Sequence, residues 1–244
     1  MFILSPYRYA ATGAAATCTH AFDFDGVDEH ITFGNILDFT ADMTATIWIR
    51  VDTTSGLDYV FGKGSVGGSM PGWGVYRYGT KLYVQVRDSS NSYIAAGGNT
   101  TINTSTWYHI AAVLDIDGNA TLYINGSAEA TTGNISSLNG SYSNSWNLCI
   151  GAREGTSIGF YWDGKCAWST IYDKALSSGE VSEDYNSGAP LDPTTHSAAS
   201  NLVFWVKPDA DDISSFPTVT EHDSGNDGTM VNCESGDIQD SVIP

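Results

Sequence analysis

The chain has 244 residues, 41% of them apolar, enough to bury the core of one all-β domain without a disulfide or metal staple. Ten basic against 28 acidic residues leave a formal charge of −18, which repels phosphate backbones and anionic headgroups, so nucleic acid and membrane surfaces are not expected as partners. No stretch approaches the roughly 18 consecutive apolar residues that a spanning helix needs.

Residues 1–19 open with Phe2, Ile3 and Leu4 before Pro6 and Arg8, too short a run for a signal-peptide core, so synthesis in a host cytoplasm without a signal peptide is expected. Together with Tyr7 and Tyr9 these apolar side chains read as a docking arm rather than a solvated tail. Next, AFDFDGVDEHITFG (21–34) alternates like a strand yet gathers Asp23, Asp25, Asp28 and Glu29 around Gly26. In MTATIWIRV (43–51) Met43, Ala45, Ile47, Ile49 and Val51 share one face, leaving Thr44, Thr46, Trp48 and Arg50 on the other. KLYVQVR (81–87) likewise sets Leu82, Val84 and Val86 against Tyr83, Gln85 and Arg87. WYHIAAVLD (107–115) is apolar on both faces, which predicts a central strand covered on both sides and makes His109 a hydrogen-bonded core residue. Asp117-Gly118 then turns into ATLYI (120–124), and Asn125-Gly126 turns again.

Only 177–186 predicts a helix: a capping serine, Ser177 paired with Glu180 or else Ser178, with Val181 and Tyr185 as a small apolar stripe on a short surface helix. APLDPTTHSAAS (189–200) reads as a linker, and 201–244 as a β-type segment that completes the sandwich or docks elsewhere. The four cysteines, Cys18, Cys149, Cys166 and Cys233, are scattered singly and read as free thiols. The expectation is an all-β, two-sheet antiparallel jelly-roll sandwich spanning 20–188.

In their order and spacing, AFDFDGVDEHITFG, MTATIWIRV, FGKGS, GW, WYHIAAVLDIDGNATLYINGS, LCIGA and IYDKALSSGEVSEDYNSG resemble the laminin G-like, pentraxin-related domains of the concanavalin A-like class. The tail DSGNDGTMVN (223–232) is similar to segments that accompany such domains. The resemblance implies a binding module for glycans, proteins or a stiffening calcium ion. It also implies a setting like that of phage capsid-surface or tail-fibre proteins: a virion structural or decoration protein, present in many copies or as a homo-oligomer, touching other virion proteins and cell-surface glycan. The alternatives are a free lectin and a degenerate glycoside hydrolase.

Asp25, the Gly26 carbonyl and Asp28 offer part of a weak calcium site, since two carboxylates alone lie toward millimolar affinity; equally, they satisfy turn amides. The family's further carboxylates fall on Ala167 and Trp168. No catalytic residue is expected: no two glutamates stand two apart as on a glucanase cleft strand, and Asp23 with Asp25 flanks a turn. For binding, Trp48, Tyr76, Tyr78, Tyr83 and Tyr123 supply rings, with Arg50, Gln85 and Arg87 as donors. That inventory suits a glycan or a protein interface, and equally plain cross-strand aromatic pairing.

Overall fold

A computed structural model describes residues 19–64, 70–209 and 214–241. The expected docking arm, except Thr19, and with it Cys18, lies outside the described residues. In chain order the strands are β1 (His20–Asp25), β2 (His30–Thr32), β3 (Met43–Val51), β4 (Leu57–Gly64), β5 (Gly72–Tyr78), β6 (Lys81–Arg87), β7 (Tyr93–Gly97), β8 (Trp107–Leu114), β9 (Asn119–Ile124), β10 (Ser127–Ala128), β11 (Gly133–Asn134), β12 (Leu148–Ile150), β13 (Asp163–Tyr172), β14 (Leu202–Val206), β15 (Thr218–Val219), β16 (Gly228–Val231) and β17 (Ile238–Asp240). The helix α1 spans Ser178–Tyr185.

Two antiparallel sheets form the expected sandwich. The first runs β10-β9-β8-β3-β13-β1-β17, with β11 on β9 and β14 on β13; the second runs β15-β16-β2-β12-β4-β5-β6-β7. Alternation decides what lies between them. Met43, Ala45, Ile47 and Ile49 of β3 sit opposite Leu114, Ala112, Ile110 and Tyr108 of β8, and with Val51 meet Phe61, Trp73, Val75, Leu82, Val84 and Val86 of the second sheet. As predicted, β8 is central, flanked by β3 and β9. Cys149, Cys166 and Cys233 are free thiols.

The outer face of the first sheet is covered. Ser177 caps α1 in a full capping box with Glu180, fixing the entry of a helix whose Val181 packs on Ala111, Val113 and Tyr172. That helix is less superficial than its apolar stripe predicts. Asp184 is buried and its carboxylate accepts from His109 Nε2 at 2.9 Å and from the Tyr172 hydroxyl at 3.4 Å. Residues 189–200, read as a linker, pack on the same face: Leu191, Pro193, His196 and Ala198 are buried, and Trp168 Nε1 donates to the Leu191 carbonyl at 2.7 Å. Trp168 thus becomes the anchor of that cover. The C-terminal segment supplies β14 beside β13, β16 beside β2 and β17 beside β1.

Candidate functional site

With the first sheet's outer face closed, the second sheet's outer face is where exposed aromatics gather. Trp73 and Val75 of β5, and Leu82, Val84 and Val86 of β6, point inward, so Tyr76, Tyr78, Tyr83, Gln85 and Arg87 project outward. Register then arranges them in rows about 7 Å apart, two residues of strand rise. One row is Tyr59, Tyr76 and Tyr83, on β4, β5 and β6, stacked at centroid distances of 5.7 and 5.3 Å with interplanar angles of 21° and 19°. The next is Gly74, Gln85 and Ala95, a floor in which only the glutamine has length. Gly72, Arg87 and Tyr93 follow, with the guanidinium 4.6 Å from the Tyr93 ring centre.

Stacking turns the ring faces toward one another, and polar heads remain for solvent. Among the described residues the hydroxyls of Tyr76, Tyr78, Tyr83 and Tyr93 make no hydrogen bond, nor does the Gln85 amide, although Gln85 is only 5% exposed. Tyr78 and Tyr93 are 63% and 57% exposed; Tyr76 and Tyr83 are half-buried. Burial, then the neighbouring Tyr83 and Tyr93 phenols, pushes the Tyr76 hydroxyl up to about 12, so it stays a neutral donor and acceptor at physiological pH. Beside Tyr59 stands the exposed Phe160, centroids 6.1 Å apart, with the Arg153 guanidinium 4.3 Å from the Phe160 ring centre.

The sequence reading placed these donors more openly than the structure does. Arg87 is nearly buried and spends its guanidinium on the Asn91 carbonyl and side chain. Trp48, Arg50 and Tyr123 belong to the other sheet and do not join this face. Trp48 is 2% exposed, held between His109 and Tyr185 under α1. Arg50 pairs with Asp52 at 3.1 Å, and Tyr123 packs against the apolar cluster below the helix. Parity told outward from inward correctly but carried no information on which outward face the helix would cover. Tyr59 and Tyr93 were missed. Tyr93 is set in polar surroundings, SNSYIAAGG, whose alternation is slight, and Tyr59 shows only once β4 is registered on β5.

The Asp25 turn uses its oxygens locally. Asp25 Oδ1 accepts from the Val27 amide at 2.8 Å and Glu29 Oε2 from the Asp25 amide at 2.8 Å, with Gly26 at φ 74. Asp163 stands opposite Asp25 in register, its carboxyl pushed up by burial and then by the Asp52 carboxylate. Ala167 and Trp168 offer no oxygen side chain, and among the described residues no trio of His, Cys, Asp or Glu is placed to hold a metal. This donor set does not fit a six- to eight-oxygen calcium ion. Melting in millimolar calcium and in chelator is expected to differ by no more than a few degrees, the size of roughly 1.4 kcal/mol from ligand at tenfold its Kd; a shift of tens of degrees would contradict the turn assignment. Asp23, the other acid considered for catalysis, is spent on Lys165 at 2.5 Å.

The sequence profile of the family described as Laminin_G_3, concanavalin A-like lectin/glucanases superfamily, matches residues 25–182. No curated protein sequence matches the chain significantly. Among solved structures it is similar to a putative carbohydrate binding protein from Bacteroides ovatus, at 17% identity and TM-score 0.62, covering 88% of this chain and 58% of that one. The SAP-like pentraxin of Limulus polyphemus is 19% identical at TM-score 0.56, covering 70% and 84%. The botulinum neurotoxin serotype D ligand binding domain, solved with N-acetylneuraminic acid, is 16% identical at TM-score 0.54, covering 72% and 44%. The chain therefore spans less than two thirds of the Bacteroides protein and of the toxin domain.

Proposed function

The chain belongs to the concanavalin A-like lectin/glucanases superfamily, and from that premise we propose that it is a non-catalytic carbohydrate-binding module whose ligand lies on the tyrosine-lined outer face of the second sheet. The carrying observation is the set of unpartnered polar heads: the phenols of Tyr76, Tyr78, Tyr83 and Tyr93 around the nearly buried Gln85 amide. A saccharide offers hydroxyls that both donate and accept, which neutral phenols and an amide match. That its similar structures include a putative carbohydrate binding protein and a toxin ligand binding domain solved with N-acetylneuraminic acid supports the reading.

Each neutral hydrogen bond contributes about 1 kcal/mol. Tyr76→Ala combined with Tyr83→Ala is therefore expected to weaken glycan binding by roughly tenfold or more, with only a few degrees lost in melting. Measurement is by glycan array followed by titration of the strongest glycan; full binding by the double variant would move the site elsewhere.

A second reading places the module on a phage particle, at the capsid surface or tail. It is supported by the apolar residues Phe2, Ile3, Leu4, Tyr7 and Tyr9 ahead of the sandwich and by the resemblance described above. Mass spectrometry of purified particles should then find the chain in stoichiometric amount, and removal of residues 1–19 should leave a folded sandwich that no longer incorporates.

A further inference from the structure

We infer that the tyrosine face selects uncharged glycans over sialylated or uronate-bearing ones, with the Gln85 amide as the specificity-determining contact; this rests on the carbohydrate-binding reading above. An acidic sugar needs a cation or a cluster of free donors to replace the water around its carboxylate. The cations bordering this face are already committed. Arg87 is held by Asn91 and lies on Tyr93. Arg77 is fully buried and donates to the Ser55 and Gly79 carbonyls and to Asp58. Lys81 Nζ donates to the Asn99 carbonyl at 2.7 Å and to the Thr101 hydroxyl at 3.0 Å. Arg153 lies on the Phe160 ring. What remains uncommitted is neutral, and the formal charge of −18 adds a repulsive field for any anion.

Gln85 stands at the centre of that neutral inventory. Its cross-strand neighbours are Gly74 and Ala95, so no long side chain lies beside it in its own row. At 5% exposure with no hydrogen bond to the described residues, its amide meets solvent only through a narrow opening at its tip and stays open to a ligand. A bound hydroxyl would supply the missing partner, and a site with a buried polar group left over rejects ligands that cannot satisfy it. A purely structural Gln85 would behave in the opposite way, because replacing an unpaired amide by an apolar group of similar shape removes a cost.

The test is a glycan array carrying neutral oligosaccharides beside their sialylated and uronate-bearing counterparts, probed with the full chain and with Gln85→Met. The neutral member of each bound pair is expected to bind at least tenfold more tightly, insensitive to salt. Gln85→Met is expected to lose tenfold or more of that binding while its melting temperature is unchanged or raised. Equal or tighter binding of the acidic member overturns the selectivity while leaving the carbohydrate reading intact. Undiminished binding by Gln85→Met overturns the role of the amide, and the neutral-to-acidic ratio of the unaltered chain decides the selectivity even if that variant does not fold. No glycan bound by the unaltered chain overturns both the selectivity and the carbohydrate reading.

Discussion

Asp184→Ala is expected to destabilise the sandwich by about 3–5 kcal/mol, the cost of removing one side of a buried, hydrogen-bonded carboxylate–imidazole pair. In a domain of this size that lowers the melting temperature by roughly 6–20 °C. Asp184 is the polar pin that holds α1 on the first sheet. Its carboxylate accepts from His109 and Tyr172, and His109 Nδ1 already lacks a partner, so the substitution leaves an imidazole with no hydrogen bond on either nitrogen. Burial by itself would raise the carboxyl, but the hydrogen bond from His109, the His109 and His196 charges and the Thr46 hydroxyl outweigh it and hold the group below its usual value of 3.8. A lowered acid contributes stability that is present above its unfolded value and lost as pH falls through its folded value. Thermal melts of the two proteins should therefore differ most at neutral pH and converge below pH 4; a difference under about 1 kcal/mol at pH 7 would show that α1 is held by its apolar contacts alone.

Glu221→Ala is expected to cost about 2–3 kcal/mol and to loosen the C-terminal segment. The Glu221 carboxylate accepts from the backbone amides of Trp205, Asp223 and Ser224 at 2.9, 2.9 and 2.7 Å and from the Ser224 hydroxyl at 2.6 Å. It thereby ties β14 to the DSGN loop that leads into β16. Burial opposes its charge, and the Ser224 hydroxyl and those amides more than compensate, leaving it below the usual 4.5. Its contribution is complete above pH 4.5 and is lost as pH falls through the lower folded value. Hydrogen exchange should show faster opening of β14 and β16 in the variant, with β3 and β8 protected as before; unchanged exchange at Trp205 and Ser224 would mean that other groups hold the loop.

The two-sheet architecture was legible because β3 and β6 carry period-two patterns that only a pleated strand can satisfy, because β8 is apolar on both faces as a central strand must be, and because Ser177 with Glu180 marks a helix start by chemistry rather than by hydrophobicity. The cover was not. Residues 189–200 have the Pro, Ser and Thr content of a linker, and their burial depends on Leu191, His196 and Ala198 meeting a surface assembled from remote strands. Asp184 reads as a solvated helix carboxylate until His109, 75 positions earlier, is brought beneath it. The tyrosine face was half legible: Tyr76, Tyr83 and Gln85 follow from alternation, whereas Tyr59 and Tyr93 need the register of four strands.

That register also sets an order of events in synthesis. β1 is completed by β13 and by β17, and β2 by β12 and by β16. The first strands to leave a ribosome thus wait for a first partner about 120–140 positions downstream and for a second some 200 downstream, delays of roughly 6–28 s and 10–40 s at ordinary elongation rates. Until β12 and β13 emerge, Phe22, Phe24, Ile31 and Phe33 have no partner strand, which favours late over sequential folding of the nascent chain. A stall or premature stop before residue 228 releases two unpaired strand edges, one from each sheet, and such a fragment is fated for aggregation or proteolysis.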